Sequence, residues 1–140
     1  MDNRNSITTR IQIWDTAIAI IRENPILGIG LADFQRVYSE TIPAKYFPPY
    51  EWLVPEPHNL YLAFWLHLSL AGIIWLIYIL RYTILKLIEA IQSNQWENYW
   101  LSLSLLSIFL YGILDTPFWK NDLALVFILI LYGVVGKRKK

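Results

Sequence analysis

The sequence predicts an all-α integral membrane protein, with an external helical loop followed by about three transmembrane helices. Three observations predict it. Hydrophobic residues make up 56% of the 140-residue chain and mean hydropathy is positive, whereas soluble domains are about 45–50% apolar. Residues 60–80 carry no formal charge and as a helix would measure about 31 Å, enough to cross a bilayer. The chain then closes on Lys137-Arg138-Lys139-Lys140, directly after another apolar run.

Composition also excludes several classes. A net charge of +1 gives no electrostatic footprint for nucleic acid. The absence of cysteine removes disulfides, thiolate metal sites and thiol nucleophiles. No signal peptide is visible, because residues 1–9 are polar. No carboxylate pair, phosphate-binding glycine loop or metal-ligand cluster appears, so no metal and no cofactor is expected.

The first element is an amphipathic helix on which Ile7, Ile11, Trp14, Ile18 and Ile21 follow helical spacing. Asn24-Pro25 ends it, since the residue before proline is pushed out of the α region. Gly28-Ile29-Gly30 permits a tight turn, and Leu31, Phe34 and Tyr38 predict a second short amphipathic helix. Residues 41–57 hold five of the seven prolines, interleaved with Tyr46, Phe47, Tyr50 and Trp52, and read as an ordered loop. Residues 1–57 thus form the external part, and residues 58–140 a membrane domain. Its spans are expected near 60–80, 99–114 and 118–136, with a polar stretch over 81–97 and a polar turn over 115–122. The last apolar run, residues 123–136, is short for a span and borrows residues 117–119 or snorkelling lysines.

By the positive-inside rule the basic tail is cytoplasmic. Counting back across three spans puts residues 1–57 outside, in a periplasm or its equivalent. Their five basic and seven acidic residues agree with that side.

At the outer membrane boundary stands Pro57-His58-Asn59-Leu60-Tyr61-Leu62. Ionisable groups there are costly to place and are functional candidates. Pro57 fits the first helical position, which sets His58 in the first turn at the positive end of the helix dipole. That location favours a neutral ring able to accept a proton, and its free N–H groups also suit an anion. Both roles stay open. Leu62, Trp65, Ser69 and Gly72 share the helix side of His58, while His67 lies about 180° away and is a poor partner for it.

Arg10 with Trp14, then Asn24-Pro25-Ile26-Leu27-Gly28-Ile29-Gly30 with Phe34 and Tyr38, resembles the large external loop of O-antigen ligases. Pro57-His58-Asn59-Leu60-Tyr61-Leu62 with Gly72 resembles the helix after that loop. The same superfamily includes O-antigen polymerases and protein O-oligosaccharyltransferases, and the likeness covers nearly the whole chain. Two departures stand out: family members carry many more spans, and Ser69 replaces a usual glycine, a change expected to be mild because serine also permits close helix packing.

The resemblance implies the C-terminal part of a larger polytopic, GT-C-like glycosyltransferase. It would sit in the bacterial cytoplasmic (inner) membrane and serve cell-surface polysaccharide or lipopolysaccharide synthesis. It implies an undecaprenyl-pyrophosphate-linked glycan as donor and a glycan, lipid or protein acceptor. Membrane lipids and further N-terminal transmembrane segments would be its surroundings. Arg10 then suits the pyrophosphate, since guanidinium pairs with phosphate through two parallel hydrogen bonds, and His58 suits the acceptor hydroxyl. Asn59, Arg22 and Arg36 are further substrate-binding candidates.

Each has a plainer reading. His58 can be a polar interface residue, Arg10 a solvated charge, His67 a packing residue, and Asp115 and Asp122 turn caps. The aromatic cluster around Trp52 can anchor at the bilayer surface or stack on sugars. For the whole chain, the alternatives are a truncated non-catalytic membrane protein or a transport-related member of the superfamily.

Overall fold

The computed structural model describes residues 5–119 and 121–136, and every regular element among them is helical. In chain order these are α1 (Ser6–Glu23), α2 (Phe34–Lys45), α3 (Leu60–Gln92), α4 (Trp96–Tyr111), a single 3-10 turn (Pro117–Trp119) and α5 (Asn121–Gly136). The basic tail on which the expected topology rests lies outside the described residues.

α1 begins in a capping box. The Asn5 side chain accepts from the Ile7 and Thr8 amides, while the Thr8 hydroxyl accepts from the Asn5 amide. It stops at Glu23, with Asn24 as C-cap ahead of Pro25. The face it buries is not the expected one. Thr9, Ile13, Thr16, Ala17, Ile20 and Ile21 are buried, whereas Ile7, Ile11 and Ile18 stay exposed. The helix carries two apolar stripes at helical spacing, and packing against α2 and Val54 selects one of them.

α2 contributes Phe34, Tyr38 and Ile42 to that core, all fully buried and each worth about 1.5–3 kcal/mol as removed apolar surface. It runs to Lys45 with Pro43 inside it, so the proline-rich loop starts at Tyr46 rather than at the expected Thr41. Pro43 has no backbone N–H, so the last turns of α2 lack one i→i−4 bond. Lys45 and Tyr46 then both reach Asp15 on α1, at 2.6 and 2.7 Å. Together they hold the Asp15 carboxyl below its usual pKa.

α3 departs furthest from expectation. It does not end near residue 80 but continues to Gln92 through most of the stretch read as polar. It is the one helix among the described residues long and apolar enough to cross a membrane. It also breaks at Ser69, where φ is 67° and ψ −171°. In a continuous helix the Leu70 amide would donate to the Leu66 carbonyl. Here the Leu70 amide donates to the Ile26 carbonyl at 3.0 Å, and the Leu66 carbonyl accepts from Ile29 (2.8 Å) and Gly30 (3.3 Å). The loop of residues 25–30 is thus spliced into the opened hydrogen bond. Trp65 Nε1 donates to the Pro25 carbonyl (2.8 Å), and buried His67 bonds the Gly30 carbonyl (3.0 Å) and Glu56 (3.1 Å). Gly28 is required at this docking, because its φ is +65° and a Cβ there would strike the Leu66 carbonyl oxygen.

α4 spans residues 96–111 rather than 99–114, and α5 starts at Asn121 after the 3-10 turn. At 16 residues each they measure about 24 Å, short of a bilayer core. Leu60, Phe64, Leu76 and Ile79 of α3 pack with Leu105, Phe109, Phe127 and Val134 of α4 and α5. Residues 60–68 therefore join two cores, with Leu66 facing the α1–α2 core and Phe64 the α4–α5 core.

Candidate active site

Helix α3 does not start at Pro57. Asn59 is its N-cap and Leu60 its first residue, so His58 lies just outside the helix with φ +49°. The dipole argument for a first-turn histidine is corrected accordingly, because the cap residue is the one with strong N-cap preference, asparagine, rather than proline's neighbour. Asn59 Oδ1 accepts from the Tyr61 and Leu62 amides, both at 3.0 Å, and its Nδ2 donates to the Ile113 carbonyl at 2.9 Å. This substrate-binding candidate is committed to the cap and to the end of α4.

The positive φ of His58 is held from three sides. Trp14 Nε1 of α1 donates to the His58 carbonyl at 3.2 Å. The Leu60 amide donates to the Gly112 carbonyl at 2.7 Å. Gly112 allows this approach, since a Cβ there would come within 2.7 Å of Leu60 side-chain atoms. On the third side stands Asp115, whose Oδ1 is 3.5 Å from His58 Nδ1. The Asp115 carboxylate also accepts from the Tyr111 hydroxyl (3.0 Å) and the Thr116 amide (2.8 Å). It is only 13% exposed. Sequence reasoning had given Asp115 a capping role alone. Its charge was visible next to the last apolar runs, but its pairing with His58 depends on α4 folding back along α3.

Arg10 sits one helical turn before Trp14 on the same side of α1. Arg10 and His58 therefore face a common cleft of about 390 Å³, lined by Asn5, Ser6, Thr9, Arg10, Ile13, Glu51 and His58. The other cations lie elsewhere. Arg22 is exposed in the last turn of α1, about 18 Å along the axis from Arg10 at 1.5 Å per residue. Arg36 is exposed and bonded within its own helix region to Asp33 and Glu40, both at 3.2 Å. His67 is not part of the cleft, being buried against Glu56 and Gly30. Of the aromatic cluster, Tyr46 is tied to Asp15, while Phe47 and Trp52 are exposed and stand edge to face at 6.1 Å.

A guanidinium, an imidazole backed by a carboxylate, a second carboxylate and two hydroxyls make a cleft suited to an anionic, hydroxyl-rich ligand. Among the described residues no cluster of three metal-ligating side chains occurs.

Comparison with known proteins bears on the same residues. An uncharacterized protein of Haemophilus influenzae is 29% identical over 98 residues, which is 69% of this chain and 25% of that protein. The chain thus spans about a quarter of the length of that curated relative. No solved structure matches. The sequence model of the family described as O-antigen ligase matches residues 1–77, which take in Arg10, the spliced loop, His58 and the break at Ser69. That match covers more than half of the chain, and the protein belongs to the O-antigen ligase family.

Proposed function

We propose that this chain carries the transfer cleft of an O-antigen ligase- or polymerase-like membrane glycosyltransferase that works in cell-surface polysaccharide synthesis. The observation that carries the reading is the convergence of Arg10 and His58 on one cleft. The donor is a glycan on a polyprenyl pyrophosphate and the acceptor a hydroxyl. The acceptor oxygen bonds to the anomeric carbon, and the bond from that carbon to the pyrophosphate oxygen breaks. The electron pair leaves with the polyprenyl pyrophosphate. Arg10 offsets the charge that gathers there. With Asp115 facing Nδ1, the tautomer that carries its proton on Nδ1 is favoured. Nε2 is left to take the acceptor proton.

The membrane setting is supported by the surface of the second core. Ile74, Ile77, Ile84 and Ile88 of α3, Leu110 of α4 and Leu125 and Leu129 of α5 are all exposed. Water does not tolerate so large an apolar surface on a monomer, and hydrocarbon does. In this reading α3 to α5 are membrane elements of a polytopic, GT-C-like enzyme. Residues 1–57 then lie on the outer face of the cytoplasmic membrane.

The test is glycan transfer by the full-length protein. His58→Ala is expected to slow it by about 10²–10⁴-fold, the usual contribution of a positioned general base, with Asp115→Asn giving a smaller loss. A wild-type rate for His58→Ala would sink the proposed role.

A further inference from the structure

Glu51 has no part in the transfer step just described, yet it lines the cleft with Arg10 and His58. Its backbone is fixed on both sides. The Tyr38 hydroxyl donates to the Glu51 carbonyl at 3.2 Å, and the neighbouring Tyr50 amide donates to Gln12 Oε1 of α1 at 3.1 Å. Among the described residues, neither Arg10 nor Glu51 forms an ion pair, although both line one cleft. A guanidinium and a carboxylate that face a common space without pairing are both left to a ligand.

The two charges sort that ligand. A pyrophosphate is drawn to Arg10 and repelled by Glu51, so Glu51 does not serve the leaving group. An ionised carboxylate offers two acceptor oxygens and no donor. Its natural partners in a cleft are adjacent hydroxyl groups, which donate to both oxygens in charge-assisted hydrogen bonds. The Ser6 hydroxyl and the Asn5 side-chain amide, from residues that line the same cleft, extend such a surface without adding charge.

We propose that Glu51 is the sugar-binding residue of this cleft and holds neutral sugar hydroxyls beside the anion site at Arg10. The inference rests on the transfer-cleft reading for what the sugar is doing there, but its test does not require turnover.

Saturation-transfer NMR on the purified chain in detergent micelles, with a panel of neutral monosaccharides that includes D-galactose and N-acetyl-D-glucosamine, reads sugar binding. A parallel titration with inorganic pyrophosphate reads the anion site. Glu51→Gln is expected to weaken sugar binding by at least tenfold and to leave pyrophosphate bound as well or several-fold more tightly. Glu51→Asp, which keeps the charge, is expected to retain part of the sugar affinity, and Arg10→Ala to lose pyrophosphate alone. Sugar binding unchanged in Glu51→Gln, or no panel sugar bound by the wild type, would overturn the proposal. Loss of both ligands in Glu51→Gln would also overturn it, since that marks a structural role. A failure of pyrophosphate to bind the wild type strikes instead at the anion site of the transfer reading.

Discussion

Ser69 carries a demanding backbone. With φ at 67° and ψ at −171°, it occupies a region that is essentially reserved for glycine and costs other residues about 1–3 kcal/mol. The family resemblance implies glycine at this position. The reason is therefore conformational rather than a matter of side-chain size in helix packing. Its hydroxyl accepts from the Ala71 amide at 3.3 Å, which offsets part of the strain. Ser69→Gly is expected to raise the thermal midpoint in detergent, with a gain of about 1 kcal/mol. Ser69→Ala keeps the strain, loses the hydrogen bond and is expected to lower it. Intrinsic fluorescence melts of the two variants check this, and a midpoint for Ser69→Gly at or below wild type would refute the strained-serine account. His58, at φ +49°, is a second residue of this kind, held in place by Trp14 and the α3 cap.

Among the elements, α2 shows how the α1–α2 core responds to pH. Tyr38 is fully buried, and burial, reinforced by the nearby charge of Glu51, pushes its phenol up to about 12 from 10.0. A raised acid pKa means that the folded state holds the proton more tightly than the unfolded chain. The contribution of Tyr38 to stability is then complete below pH 10 and is lost progressively towards about 12. Urea unfolding followed from pH 9 to 12 should show a falling stability, and Tyr38→Phe should flatten that fall. The helices themselves were legible in the sequence because their caps and breaks are local. Asn24-Pro25 ends α1, and Phe34 and Tyr38 mark α2. The buried face of α1 was not legible, since Ile7-Ile11-Ile18 and Ile13-Ala17-Ile20 have the same period and only α2 distinguishes them. Nor was the break in α3, because the residues around Ser69 are good helix formers and what opens the helix is a loop some forty positions earlier. Arg10 and His58 were singled out with the help of the family resemblance, and both line one cleft. Asp115 and Glu51 were not legible in the sequence, because their roles depend on which chain segments fold back beside them.

At the scale of the whole molecule, the proposed membrane setting has the two cores face different solvents. The α1–α2 core carries the cleft, and the α3–α5 core exposes a broad apolar surface. The proposed topology puts the first outside and the chain end at Lys140 in the cytoplasm. A fluorescent-protein reporter fused after Lys140 is expected to glow, whereas a periplasm-dependent phosphatase fused there should stay inactive; an active phosphatase would reverse the assignment and remove His58 from the outer face. The spliced loop adds a consequence for motion. Because the Leu70 amide is closed by Ile26 and the Leu66 carbonyl by Ile29 and Gly30, the loop of residues 25–30 cannot lift away without baring both helix groups, and the helix cannot become continuous without releasing the loop. Amides far apart in the chain thus belong to one cooperative opening unit. Hydrogen exchange at Ile29 and Leu70 should report a single shared opening free energy, so that the loop and the break in α3 open and close as one.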